Sequence, residues 1–128
     1  MEKLIIEATS DTPFISFCSS GEMKISGKSI PVDAGTFWEP IQNWFKDYLR
    51  EPATKTIFQF QLECLNVSSS KEVLHLLYQL NNLKEKGLIS EVEWFYHACD
   101  EDMKEVGRDY EHIVRVPFTF KKLEGELV

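Results

Sequence analysis

A mixed α/β fold with helices mainly on one face of the sheet is the class this sequence predicts. Three observations carry it. "TIFQFQLECLN" (56–66) alternates apolar and polar residues at the period of a strand. The segment after it, up to about Lys86, places Val73, Leu74, Leu76, Leu77, Leu80 and Leu83 at helical spacing. "ISEVEWFYH" (89–97) then alternates again, so a helix joins two strands, which calls for a parallel crossover.

The elements follow in order. "KLIIEA" (3–8) reads as a first strand. "FISFC" (14–18) and "MKIS" (23–26) flank Ser-Ser-Gly and read as a hairpin. Thr36 and Glu39 match the T-x-x-E capping box, with Pro40 then in the first turn, where its missing N–H costs little. Phe37, Ile41, Trp44, Phe45 and Tyr48 make the apolar face of that first helix, which should stop before Pro52. Trp38 lies off this face and reads as a partly buried rim residue.

On the strand at 56–66, Phe58, Phe60, Leu62 and Cys64 share one face; Gln59, Gln61 and Glu63 share the wetter one. In the second helix Lys84 and Lys86 suit the negative end of the dipole, and Gly87 suits the C′ position. Residues 100–113 read as partly helical, with Gly107 weakening a long helix. "VRVPFTFKK" (114–122) reads as a last strand, placed at an edge by Pro117.

The chain of 128 residues suits a single domain, 1–128, whose core needs neither disulfides nor metal. A net charge of -7 lacks the footprint of a nucleic-acid binder and is repelled by anionic membranes. No run reaches the length of a bilayer span, and "MEKLIIEATSD" has no signal-peptide pattern. Cys18, Cys64 and Cys99 are odd in number without a CxxC. Cys18 and Cys64 fall in strands, as small buried hydrophobes do, and a reducing, cytoplasmic setting is expected.

Chemistry-bearing patterns are sparse. His75, His97 and His112 share no ligand spacing with the cysteines. Asp100, Glu101 and Asp102 could hold Mg²⁺ but read more simply as a helix start, so a small metal-dependent enzyme is the weakest reading. Neither G-x-S-x-G nor a Gly-rich phosphate loop occurs, and no cofactor is expected.

One turn stands out: "LNVSSSK" (65–71) between strand and helix. Ser69 and Glu72 match a second capping box, which makes Ser69 the expected cap. The positive end of the dipole at such a turn also tolerates an added phosphate.

"LNVSSSK" resembles the "LNTSS(S)K" motif of the SiaC-type bacterial regulatory phosphoproteins. "DTPFI", "WEPI" with "WFKDYL", and "DEDMKEVGRDYEHIVRVPFTF" are similar to the same family, over about residues 8–121. The resemblance implies a STAS-like fold, similar to anti-sigma-factor antagonists. It also implies a non-enzymatic adaptor, acted on by a Ser/Thr protein kinase and a PP2C-type phosphatase. The effector it implies is a diguanylate cyclase, in cyclic-di-GMP and biofilm signalling. The family's phosphoacceptor threonine corresponds to Val67, which cannot be phosphorylated. The resemblance therefore implies a switch moved to Ser68, with Ser69 and Ser70 as alternatives, or a constitutive partner-binding protein. Asn66, Val67, Ser68 and Lys71 are the expected partner-binding residues.

Overall fold

The computed structural model describes residues 1–124. Six strands form one sheet in chain order: β1 (Leu4–Ile6), β2 (Phe14–Phe17), β3 (Glu22–Ser29), β4 (Lys55–Leu65), β5 (Ile89–His97) and β6 (Phe118–Leu123). The first two pairings are antiparallel and the other three parallel. Each parallel pairing needs a crossover, supplied by α1 (Ala34–Tyr48), α2 (Val67–Glu85) and α3 (Glu101–Ile113).

The helices lie on one face. Ile15, Phe17, Met23, Ile25, Phe58, Phe60, Val92 and Trp94 point into the core beneath them. From α1, the Phe45 ring meets that of Phe58 at 5.3 Å. From α3, Tyr110 meets Trp94 at 5.7 Å, and the Trp94 indole N–H donates to the Met103 carbonyl at 3.0 Å. α2 contributes Val73, Leu76, Leu77, Leu80 and Leu83, all buried. The opposite face is polar: Gln59 Nε2 and Lys121 Nζ both donate to the Glu93 carboxylate, at 2.6 and 2.8 Å.

Gly87 ends α2 as expected, with φ +79°. Its N–H donates to Lys84 O and that of Leu88 to Leu83 O, the paired bonds of a Schellman cap.

Several expectations are corrected. Asp33, not Thr36, caps α1: its carboxylate accepts from the Thr36 N–H at 3.1 Å and the Thr36 hydroxyl at 2.8 Å. Pro40 therefore lies in the helix interior, on an exposed side where water can serve the carbonyl it leaves unpaired. Trp38 is fully buried, on the helix face it shares with Ile41, Phe45 and Tyr48. α3 continues through Gly107, because the helix approaches the sheet too closely for a side chain there; a Cβ would stand 2.6 Å from Trp94 Cδ1. Val114 and Val116 are buried in the connection before β6 and are not part of that edge strand. Cys18 and Cys64 are half-buried and Cys99 exposed.

Candidate regulatory site

The turn from β4 into α2 is built around Asn66. Its backbone is extended (φ -81°, ψ 169°), and Oδ1 accepts from the Ser69 N–H at 2.9 Å. Its own N–H donates to Ser29 O at 3.0 Å, and Nδ2 donates to Pro31 O at 3.3 Å. Asn66 is thus the N-cap and ties the turn to the end of β3. Ser69, expected as the cap, is the third helical residue instead. An Asx side chain three residues ahead reaches its N–H first.

The three serines become three different groups. Ser69 is completely buried, and its hydroxyl oxygen accepts from Ser29 Oγ at 2.8 Å and from the Trp38 indole N–H at 3.3 Å. The half-buried Ser70 donates its hydroxyl to Val67 O at 2.6 Å, and its carbonyl accepts from the Tyr110 hydroxyl at 2.8 Å. Ser68 is exposed, and its hydroxyl makes no hydrogen bond among the described residues. Burial first, then the nearby Asp109 charge, raises the Tyr110 phenol well above its ordinary value. Tyr110 therefore remains a proton donor, pinning α3 to the first turn of α2.

The electrostatics of this helix start differ from those of the other two. α1 carries the Asp33 carboxylate at its N-terminus, and α3 carries Asp100, Glu101 and Asp102. α2 has a neutral cap and no acidic residue in its first turn. The N–H groups of Val67 and Ser68, the first two helical residues, have no intrahelical acceptor by geometry, and the dipole places partial positive charge there. Lys71 is exposed one turn from Ser68, close enough on the helix surface to reach a group attached to it.

Beside this turn runs a furrow of about 400 Å³ between α2 and α3, walled by Leu65, Val67, Leu74, Val106 and Ile113. Three of the four residues expected at a partner surface (Asn66, Val67 and Lys71) line it, and Ser68 stands next to them. Val67 is 73% exposed although apolar. Sequence reasoning missed the α3 wall, because the residues facing α2 are set by how α3 crosses the sheet.

Elsewhere, Asp100 accepts from the Met103 N–H at 3.0 Å as the cap of α3. Among the described residues, no three His, Cys, Asp or Glu side chains converge as a metal site. The Ser20 hydroxyl donates to Cys18 Sγ at 3.2 Å and, as the main cause, lowers the pKa of that thiol. No described helix is long and apolar enough to cross a membrane.

An accessible serine hydroxyl thus stands at a helix start, next to an apolar furrow. The chain belongs to the SiaC family of regulatory phosphoproteins, whose sequence profile matches residues 6–123. It is 23% identical over 122 residues to an uncharacterised protein of Pseudomonas aeruginosa (strain UCBPP-PA14), covering 94% of this chain and 97% of that one. The fold matches SiaC of Pseudomonas aeruginosa with a TM-score of 0.87 at 22% identity, over 96% of this chain and 100% of the other. It also matches a chain in the crystal structure of the diguanylate cyclase SiaD in complex with its activator SiaC, from the same organism. That match has a TM-score of 0.86 at 22% identity, over 94% of this chain and 99% of the other.

Proposed function

We propose that this protein is a non-enzymatic cytoplasmic adaptor, switched by phosphorylation of Ser68. A Ser/Thr kinase and a PP2C-type phosphatase would set the switch. The effector would be a diguanylate cyclase, the kind of enzyme with which the structurally similar SiaC assembles. One observation carries the reading. Of the three serines, Ser68 alone combines exposure with a hydroxyl free of hydrogen bonds among the described residues, and it sits at a helix start with a neutral cap and no acidic residue in the first turn. A phosphate there carries about -1.5 to -2 charges and meets the dipole, two backbone N–H groups and Lys71.

Phosphopeptide mass spectrometry on protein from its native cells tests this. The expected result is one phosphate within residues 66–71, assigned to Ser68 and absent from Ser68→Ala. Phosphate on Ser70 instead, or none while the kinase is active, would overturn the assignment.

The exposed Val67 favours a second reading, a constitutive partner-binding protein. In that case Ser68→Ala and Ser68→Asp bind the effector equally; under the switch, Ser68→Asp binds it more weakly.

A further inference from the structure

We infer that the open face of the sheet, opposite the helices, pairs with the same face of a second copy of this chain, about a two-fold axis running along β4. The inference goes beyond the adaptor reading and does not rest on it.

Met23, Ile25, Phe58, Phe60, Val92 and Trp94 point toward the helices, so the residues between them on the same strands point the other way. On that open face Lys24, Lys55 and Lys121 balance Glu22, Glu91 and Glu93, whereas the whole chain carries a net charge of -7. Two acidic copies therefore repel each other least when these neutral faces meet. The face is also partly apolar. Phe14, Ile57 and Phe95 are half-buried on it, and Phe14 and Phe95 flank a shallow cleft of about 190 Å³ over Ser26, Gln59 and Gln61.

The strand register makes this face complementary to itself. Ser16, Lys24, Gln59, Glu93 and Thr119 form one row across β2 to β6. Lys24 and Glu93 lie one strand to either side of β4, and Ser16 and Thr119 two strands. A two-fold axis along β4 sets Gln59 against the second copy's Gln59, Lys24 against its Glu93, and Ser16 against its Thr119. Two residues along the strands, the Phe95 ring of each copy meets Ser26 in the cleft of the other. In the row Glu22, Ile57 and Glu91, Ile57 meets its own equivalent. Glu22 there faces Glu91, whose charge Lys55 offsets from 3.7 Å. Lys24 forms no salt bridge among the described residues. Glu93 accepts from Gln59 and Lys121 and keeps lone pairs for a third donor.

The size and geometry suit sheet-on-sheet packing, in which two faces lie ~10 Å apart with strands about 30° from aligned. Five strand spacings of about 4.8 Å and a strand of about 30 Å give up to roughly 700 Å² per copy, near the ~800 Å² per partner of a stable interface. A helix of another protein fits less well, because Lys24, Gln59, Gln61 and Glu93 interrupt the apolar residues it would need in one stripe. Face-to-face pairing turns both helical layers outward, so the dimer would present two copies of the Ser68 turn.

The test is sedimentation velocity of the full chain over a wide range of concentration, with circular dichroism to check that each variant is folded. Wild type should pass from monomer to dimer as concentration rises. Lys24→Glu and Glu93→Lys should each raise the dimer Kd at least about tenfold, because each sets like charges together at both symmetric contacts. An equimolar mixture of the two variants should dimerise again, since each then meets its opposite charge. Should Glu93→Lys unfold, the exposed Lys24→Glu variant still decides, together with photo-crosslinking. Benzoylphenylalanine at position 57, on the axis, should give an adduct of twice the chain mass in which β4 is joined to β4. The inference is overturned by a monomer at every concentration, by a dimer indifferent to Lys24→Glu, by a mixture of folded variants that stays monomeric, or by a position-57 adduct to another protein. None of these outcomes touches the switch at Ser68, which mass spectrometry reads separately.

Discussion

The N-termini of α1 and α2 share one plan and differ in what surrounds it. Each has an extended Asx residue whose side chain accepts from the N–H three residues on, Asp33 from Thr36 and Asn66 from Ser69. At α1 the third residue is exposed, and its hydroxyl turns back to the cap. At α2 it is buried and bonded to Ser29 and Trp38, while the next residue accepts from Tyr110. The first is a local cap; the second is joined to β3, α1 and α3. The charges differ too. The bonds from the Thr36 hydroxyl and then its N–H hold the exposed Asp33 carboxyl below its ordinary value. α1 thus holds an anion at its start and α2 holds none. A helix start that is fixed in place yet free of negative charge suits a reversible charge; one already carrying its carboxylate does not.

The largest effect should come from breaking the joint at α2. Trp38→Ala removes a fully buried indole and one donor to Ser69, and should cost about 3–5 kcal/mol in urea unfolding. Thr36→Ala, at the exposed equivalent of Ser69, should stay within about 1 kcal/mol. Similar losses at the two positions would show that the α2 turn is no more connected than that of α1.

A middle-sized effect belongs to the cap itself. Asn66→Ala should cost about 1–2 kcal/mol, the upper part of the range for a lost cap, because the bond to Pro31 O goes as well. Amide exchange should then quicken at Ser69 ahead of the rest of α2, since its N–H loses the Asn66 side-chain acceptor while that of Ser70 keeps the Asn66 carbonyl.

Much of this was legible beforehand. The alternation at 56–66 and 89–97 and the leucines of α2 are strong periodic signals, and they placed β4, β5 and α2 correctly. Both helix starts, however, were read three residues late for the same reason. The S/T-x-x-E pattern competes with an Asx residue three positions earlier, and the Asx cap won at Asp33 and at Asn66. The shift mattered at the serines, because it moved Ser69 from cap to core and left Ser68 exposed. Trp38 was missed for a separate reason: it shares the buried face of Ile41, Phe45 and Tyr48. The furrow was not readable at all, since Val67 and Ile113 are 46 residues apart and meet only through the crossing of α2 and α3.

The smallest effects are electrostatic, and they test the comparison most directly. Ser68→Asp adds a carboxylate to the first turn of α2 and should stabilise the protein by about 0.3–1 kcal/mol over Ser68→Asn at low salt. The gain should fade as salt rises. Asp33→Asn should do the converse at α1, keeping an acceptor for the Thr36 N–H but losing the charge. Because the folded pKa of Asp33 is lowered, its contribution is present above the ordinary carboxylate value and lost as pH falls through the folded one. Stability curves of wild type and Asp33→Asn should therefore differ at neutral pH and converge on acidification below that range. Asn66→Asp completes the exchange by giving α2 the charged cap of α1. It should keep the bond to the Ser69 N–H while placing a resident anion beside Ser68, so a phosphate there would meet repulsion instead of an open dipole. The expected result is a lower phosphate occupancy at Ser68 with the fold intact, read by the same mass spectrometry. Unchanged occupancy would mean that the kinase reads the backbone of the turn and not its charge.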